Sequence, residues 1–323
     1  MGPRPRAMLG PMSAFSSVDE VVRRCHEQGY VADSRIATAV FLADHLEKPI
    51  LVEGPAGVGK TELAKVLAAC LGTELLRLQC YEGLDEAKAL YEWEYPKQLL
   101  YTQILRDKIG EIVTGSGTLA EAVDRLSAQE DAFFSERFLL ARPLLAALRS
   151  PRRAVLLIDE VDRAEAEFEA FLLEVLSDFQ VSVPELGTIR AREVPMVILT
   201  SNSAREMTDA LKRRCLHLHL DFPPPARELA IVRLRLPGVD ERLSALVVAL
   251  VQEVRKLDLK KRPSIAETLD WVRALIVLGA GELDGELQRE TLNVILKYEG
   301  DLQRVTEQWP DLAARARAVA APR

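Results

Sequence analysis

Gly54-Pro55-Ala56-Gly57-Val58-Gly59-Lys60-Thr61 constrains this chain more than any other stretch, because it fits G-x-x-x-x-G-K-[ST]. Its glycines let the backbone curl so that successive N–H groups point inward, toward phosphate oxygens. The helix that follows presents its N-terminal dipole to the same anion. Lys60 brings a mobile positive charge to the β- and γ-phosphates, and the Thr61 hydroxyl ligates Mg²⁺. A Gly-rich turn can match by chance. Here Pro49-Ile50-Leu51-Val52 reads as a strand before it, and Thr61–Leu71 as a helix after it, with Leu63, Leu67, Cys70 and Leu71 on one face. That context predicts an ATP cradle, and Glu62 is counted with Gly54–Thr61 on the nucleotide side.

A second chemical element lies well downstream. Val155-Leu156-Leu157-Ile158 is a continuous apolar run, as a buried parallel strand requires. Asp159 and Glu160 emerge at its C-terminal end, where open α/β sheets bind ligands. Asp159 suits Mg²⁺, and Glu160 suits orienting and deprotonating an attacking water. The bland alternative is two carboxylates at a helix N-terminus. Asn202 ends the next predicted strand, Val194–Thr200, where its amide would reach a γ-phosphate or the lytic water. Taken alone it reads equally well as a turn residue. Arg213 and Arg214 precede the strand Cys215–Leu220. Either is a solvated basic residue or an arginine that stabilises charge on a transferred phosphoryl group, across a subunit interface.

The rest of the chain is read around these points. Residues 1–16, with three prolines, form a loose tail. Ser17-Val18-Asp19-Glu20 has capping-box spacing and starts a helix. A second helix covers about Ala32 to Leu46. Thr114–Thr118 is a flexible segment, Pro143 opens a short helix to Arg149, and Val181–Arg190 folds as a small hairpin. Alternating strands and helices over 17–222 predict an α/β domain with a parallel sheet. Pro223-Pro224-Pro225 breaks the chain, and 223–323 reads as a smaller all-α lid domain. Its apolar stripe is Leu243, Leu246, Val247, Leu250, Val251, Val254 and Leu257.

Composition narrows the function. A net charge of −7 over 323 residues disfavours a nucleic-acid coat, so nucleic acid is not an expected partner. No apolar run reaches membrane-span length, and the N-terminal stretch lacks the apolar core of a secretory leader. Cys25, Cys70, Cys80 and Cys215 form no C-x-x-C pair, which predicts reduced, mostly buried thiols and a cytoplasmic setting. His217 and His219 share one strand face, and strand packing is favoured over metal ligation because no third ligand lies near.

Taken in order, Lys60/Thr61, Asp159/Glu160, Asn202 and Arg213/Arg214 resemble the Walker A, Walker B, sensor-1 and arginine-finger series of AAA+ ATPases. The 181–190 hairpin resembles a pre-sensor insertion, and Cys80–Leu100 would hold a helix-2 insert. Together these features resemble the MoxR family. Gln79-Cys80-Tyr81-Glu82-Gly83-Leu84-Asp85, Tyr91-Glu92-Trp93, Thr200-Ser201-Asn202 and Ala210-Leu211-Lys212-Arg213-Arg214-Cys215 look most like its CoxD-type members. The resemblance implies a P-loop AAA+ fold and a ring, often a hexamer, with ATP and Mg²⁺ at subunit interfaces. It implies chaperone-like action with a von Willebrand factor A-domain protein. The client it implies is a metalloenzyme, a molybdenum–copper carbon monoxide dehydrogenase undergoing maturation. It also favours Arg214 over Arg213 as the finger. The family's sensor-2 arginine follows a Ser-Pro pair at a lid helix. Here Lys260-Lys261-Arg262-Pro263-Ser264-Ile265 places Arg262 before the proline, and Arg262 is the nucleotide-side candidate.

Two rival readings share the fold. A nucleic-acid motor or loader would be stimulated by DNA or RNA, with steep salt dependence. A nucleotide-switched scaffold would bind ATP without turnover, which the intact Asp159-Glu160 pair disfavours. Neither N-K-x-D nor L-S-G-G-Q occurs, which disfavours a GTPase or a transporter ATPase.

Overall fold

The computed structural model describes residues 13–104, 118, 139–183, 187–279 and 285–320. Its centre is a five-stranded parallel sheet ordered β2-β5-β8-β1-β9. The strands are β1 Ile50–Glu53, β2 Leu75–Gln79, β5 Val155–Asp159, β8 Met196–Ser201 and β9 Leu216–His219. Every residue of β5 and β8 is buried, as the continuous apolar runs require for strands covered on both faces. The register pairs Ile50 with both Ile198 and Leu216, and Leu78 with Ile158. This aligns the carboxyl ends of the strands, so Glu53, Gln79, Asp159 and Ser201 sit along one edge.

Helices α1 (Val18–Glu27), α2 (Ser34–Leu46) and α3 (Lys60–Leu71) cover one face of the sheet, packing Val21, Ile36, Val40, Leu63 and Leu67 against Ile50, Val52 and Leu157. Helices α6 (Pro143–Arg149) and α7 (Ala166–Asp178) cover the other, with Leu144, Leu148, Phe168, Leu172 and Val175 against Leu51, Leu156 and Leu199. Between β2 and α6 lie α4 (Glu86–Leu90), α5 (Tyr95–Ile104) and an antiparallel pair, β3 (Tyr91–Trp93) with β4 (Leu139–Ala141). Strands β6 (Gln180–Val183) and β7 (Gly187–Arg190) make the expected hairpin. The short α8 (Asp209–Arg214) leads into β9.

A separate buried cluster, drawn from Val232 to Ala316, builds the helical segment. It comprises α9 (Pro225–Arg235), α10 (Glu241–Arg255), α11 (Ile265–Val277), α12 (Gly285–Glu290), α13 (Glu299–Glu307) and α14 (Trp309–Ala320). The stripe on α10 is buried from Leu243 to Val254, and Leu257 beyond it is partly buried. Fully buried Trp271 on α11 donates its Nε1–H to Thr291 at 2.8 Å. No described helix is long and apolar enough to cross a membrane.

Two local expectations need correction. Phe15 is fully buried, its N–H donates to Asp44 at 3.1 Å, and Arg24 lies 4.9 Å above its ring. Proline content hid this anchor, so 13–16 is not loose; residues 1–12 of the predicted tail lie outside the described residues. The predicted capping box is half formed. The Ser17 hydroxyl accepts from the Glu20 N–H at 3.1 Å, but the Glu20 carboxylate takes the N–H and hydroxyl of Ser16. Of the predicted flexible segment, Thr114–Gly117 also lie outside the described residues. All four cysteines are free and buried, and His217 Nε2 lies against the Glu53 carboxylate.

Candidate active site

The phosphate cradle sits where β1 ends and α3 begins. Gly59 caps α3 with φ of +96°, so the first N–H groups of α3 face outward from the turn. Gly54 has φ of +150°, and a Cβ there would lie 1.8 Å from the Leu220 carbonyl oxygen. Gly57 has φ of +78°, and a Cβ there would lie 2.2 Å from the Ser264 Cβ at the start of α11. The Ile265 N–H donates to the Gly57 carbonyl at 3.2 Å. Glycine is therefore required twice, once for the sheet and once for the helical segment. Gly54→Ala is expected to lower stability by about 3 kcal/mol, from backbone strain plus overlap with a main-chain atom. A denaturant titration checks this, and an unchanged midpoint would show that the loop relaxes freely.

Lys60 is buried, and its ammonium donates to the carbonyls of Gly54 and Pro55, both at 2.7 Å, and to Asn202 Oδ1 at 2.8 Å. Burial pulls its pKa below the usual lysine value, while Asp162, Asp159 and Glu160 oppose the shift. The Thr61 hydroxyl donates to Asp159 Oδ1 at 3.1 Å. Asp159 is also buried, and it takes Arg77 Nε and Nη2 at 3.0 and 2.6 Å and the Thr200 hydroxyl at 2.5 Å. Glu160 has left-handed φ and ψ of 56° and 50°, a conformation that is strained for glutamate and turns its side chain out of the strand direction. Its carboxylate accepts from Gln79 at 3.1 Å, Arg163 at 3.0 Å and Asn202 Nδ2 at 3.5 Å.

Gly57–Thr61, Asp159, Glu160, Thr200 and Asn202 line one side of a cavity of about 480 Å³. Gly29, Tyr30 and Val31, from the α1–α2 loop, line another. From the helical segment come Arg227, Ile231 and Arg235 of α9, and Ile265, Leu269 and Arg273 of α11. Glu62 also lines the cavity, where its carboxylate pairs with Arg235.

The structure thus brings together Gly57–Thr61, Glu62, Asp159, Glu160 and Asn202, with Gly54, Pro55, Ala56 and Val58 in the same turn. It does not bring Arg262 there. Ser264 caps α11 in a full capping box with Glu267, and Arg262, ahead of that cap, points into solvent. Arg273 is the α11 arginine that reaches the cavity. Arg213 and Arg214 are exposed and do not line this cavity; Arg214 Nε donates to the Ser177 hydroxyl at 2.6 Å.

Sequence reading missed Arg77 and Gln79. Their signal was alternation: Arg77 and Gln79 are two residues apart on β2, hence on one face of the strand beside β5. Together they occupy both acids, Arg77 on Asp159 and Gln79 on Glu160. Among the described residues no cluster of three His, Cys, Asp or Glu could hold a metal alone. The hard oxygens of Thr61 and Asp159, side by side, instead fit Mg²⁺, which is held by few protein ligands and completed by substrate phosphates.

The family model described as "AAA domain (dynein-related subfamily)" matches residues 49–215. Protein NorQ of Paracoccus denitrificans is 26% identical over 210 residues, covering 65% of this chain and 65% of that protein. Chaperone protein ClpB of Meiothermus ruber is 24% identical over 307 residues, covering 88% of this chain but 30% of that protein. The chain therefore spans under two thirds of each of these relatives. Among solved structures, the RuvB Holliday junction branch migration motor of Thermotoga maritima is 16% identical with a TM-score of 0.42, covering 97% of this chain and 85% of that one.

Proposed function

Because the chain belongs to the AAA domain family, dynein-related subfamily, and so carries an AAA+ ATPase domain, we propose that it hydrolyses Mg²⁺·ATP to remodel a client protein. One observation carries this reading. Lys60, Asn202 and Glu160 are hydrogen-bonded in series at the carboxyl edge of the sheet, with Thr61 on Asp159 beside them. Five groups from three segments distant in sequence thus meet where α/β sheets do their chemistry.

The geometry supports the following roles. The main-chain N–H groups from Gly57 to Thr61 hold the phosphates, and Lys60 leaves the Gly54 and Pro55 carbonyls to neutralise them. Thr61 and Asp159 would hold the Mg²⁺, which would supply charge compensation to the phosphates. Glu160 accepts a proton from the attacking water, and Asn202 orients that water. Arg273, rather than Arg262, serves as the lid arginine beside the terminal phosphate.

AAA+ domains typically assemble as rings. In this reading Arg214 acts on the neighbouring subunit's nucleotide, which accords with its exposure outside its own cavity. Arg214→Ala is expected to keep ATP affinity and lose most turnover, about 10³-fold on the scale of arginine fingers. Mixing Arg214→Ala with Glu160→Gln subunits tests the arrangement directly. Each is inactive alone, and a mixed ring restores sites that have both an intact Glu160 and a neighbour's intact Arg214. No recovery on mixing would place the arginine in cis.

The finer reading is MoxR-type and CoxD-like, cytoplasmic, with an α/β domain at 17–222 and a lid at 223–323. Its partners are a von Willebrand factor A-domain protein and a client metalloenzyme of the molybdenum–copper carbon monoxide dehydrogenase kind. Support comes from the CoxD-like residues between Gln79 and Trp93. Exposed Tyr81, Tyr95, Leu99 and Leu100 on and beside that insert support a client-facing role. Capture from native cells by the Glu160→Gln form tests it, with that client and partner retained only when ATP is present. Retention of DNA or RNA instead, released by salt, would favour a nucleic-acid motor.

A further inference from the structure

Asp162 is absent from every role given above, yet it is the acid on which the Asn202 loop is built. It lies in the single 3₁₀ turn Val161–Arg163 that follows Glu160, and it is 4% exposed. Its Oδ2 accepts two main-chain N–H groups, from Asn202 at 3.0 Å and from Ala204 at 2.9 Å. Between those two residues Ser203 has φ of +59°, a left-handed conformation that a serine rarely holds. The loop wraps the carboxylate, and both ends of the strained turn are tied to one oxygen atom.

The consequence reaches the nucleotide side. The Asn202 side chain spans Lys60, through Oδ1 at 2.8 Å, and Glu160, through Nδ2 at 3.5 Å. Its reach is set by where its backbone is held: the Ser201 hydroxyl at the end of β8 accepts the Ser203 N–H at 3.0 Å, and Asp162 takes the N–H groups on either side, at Asn202 and Ala204. Asp162 Oδ1 has no hydrogen-bond partner among the described residues, although it is buried. A half-satisfied buried carboxylate costs stability.

We propose that Asp162 is a positioning residue: its carboxylate anchors the Asn202–Ala204 turn so that the Asn202 amide stands between Lys60 and Glu160. The proposal rests on the ATPase reading of the site. It differs from a merely structural role in predicting lost turnover with ATP affinity kept, and the isostere tests which atom is responsible. An asparagine at 162 keeps a side-chain oxygen that can accept both N–H groups, whereas an alanine keeps none.

Two variants, Asp162→Ala and Asp162→Asn, decide it with the full-length chain. Asp162→Ala is expected to lower kcat about 100-fold, the scale of a small misplacement at a reacting centre, while ATP affinity by calorimetry stays within about threefold of wild type. Asp162→Asn is expected to restore most of the turnover. Hydrogen exchange is expected to rise at the amides of Asn202 and Ala204 in Asp162→Ala, and not across the rest of the sheet. Turnover of Asp162→Ala within about threefold of wild type overturns the proposal, as does an Asp162→Asn form no better than alanine, or an equal loss of affinity and turnover. If the wild type hydrolyses no ATP, the parent reading fails instead. The exchange arm then still decides the anchor, because unaltered protection of Asn202 and Ala204 in Asp162→Ala overturns it.

Discussion

Glu160→Gln is expected to bind ATP with near wild-type affinity and to hydrolyse it about 10²–10⁴-fold more slowly, the range lost with a general base. The substitution keeps size and shape; it removes the proton acceptor and replaces the oxygen facing Asn202 Nδ2, at 3.5 Å, with an amide nitrogen. A glutamine oxygen can still accept from Gln79 Nε2 and Arg163, the two nearest donors to the Glu160 carboxylate. The main-chain N–H of residue 160, which donates to the Thr200 hydroxyl at 2.9 Å, is untouched. The left-handed backbone at 160 costs glutamine no more than glutamate. Fold and nucleotide binding should therefore survive while the proton acceptor is lost. Calorimetry paired with single-turnover phosphate release makes the measurement. Release at the wild-type rate would remove Glu160 from the role and leave the water to another base.

The two residues of β2 give that experiment a companion. Arg77 pairs with Asp159 and Gln79 donates to Glu160, so each acid has a partner on β2. Neither contact was legible in the sequence. The reactive pairs Lys60/Thr61 and Asp159/Glu160 were legible because each is a contiguous string at the end of an apolar run, and local order alone places it. Arg77, Gln79 and Asp162 act across strands, where only the register decides who meets whom. Arg273 was missed for a related reason. Reading along the chain for an arginine near a proline found Arg262, but the Ser264 capping box starts α11 after it. One helical face then carries Ile265, Leu269 and Arg273 into the cavity, four residues apart each time. The sheet itself was legible because β5 and β8 are buried on both faces and must be apolar throughout. The anchor at Phe15 was not, because a single aromatic among prolines carries no periodicity.

Arg255→Ala is expected to destabilise the helical segment by about 3–5 kcal/mol, the cost of breaking a buried ion pair from one side. Arg255 is 6% exposed and Glu228 fully buried. The guanidinium meets the carboxylate through two hydrogen bonds, at 2.6 and 2.8 Å. It also donates to the Pro263 carbonyl at 2.8 Å and to the Thr268 hydroxyl at 3.2 Å, and it lies 4.7 Å above the Phe222 ring. One side chain on α10 therefore ties α9, α11 and the residue just before the broken Pro223–Pro225 stretch. With alanine, Glu228 keeps neutral donors from Gln252 and Thr268 but loses its counter-charge. The damage should reach the nucleotide. Pro263 immediately precedes Ser264, which packs on Gly57, and Ile265 donates to the Gly57 carbonyl. Weaker ATP binding is thus expected alongside the lower denaturation midpoint, even though Arg255 does not line the cavity. An apolar double replacement, Arg255→Met with Glu228→Leu, should cost much less than the single change, because it leaves no charge behind. If the double variant falls as far as Arg255→Ala, geometry and not charge pairing is what this cluster supplies. If the single variant melts with the wild type, the Arg255–Glu228 pair adds no stability to the helical segment.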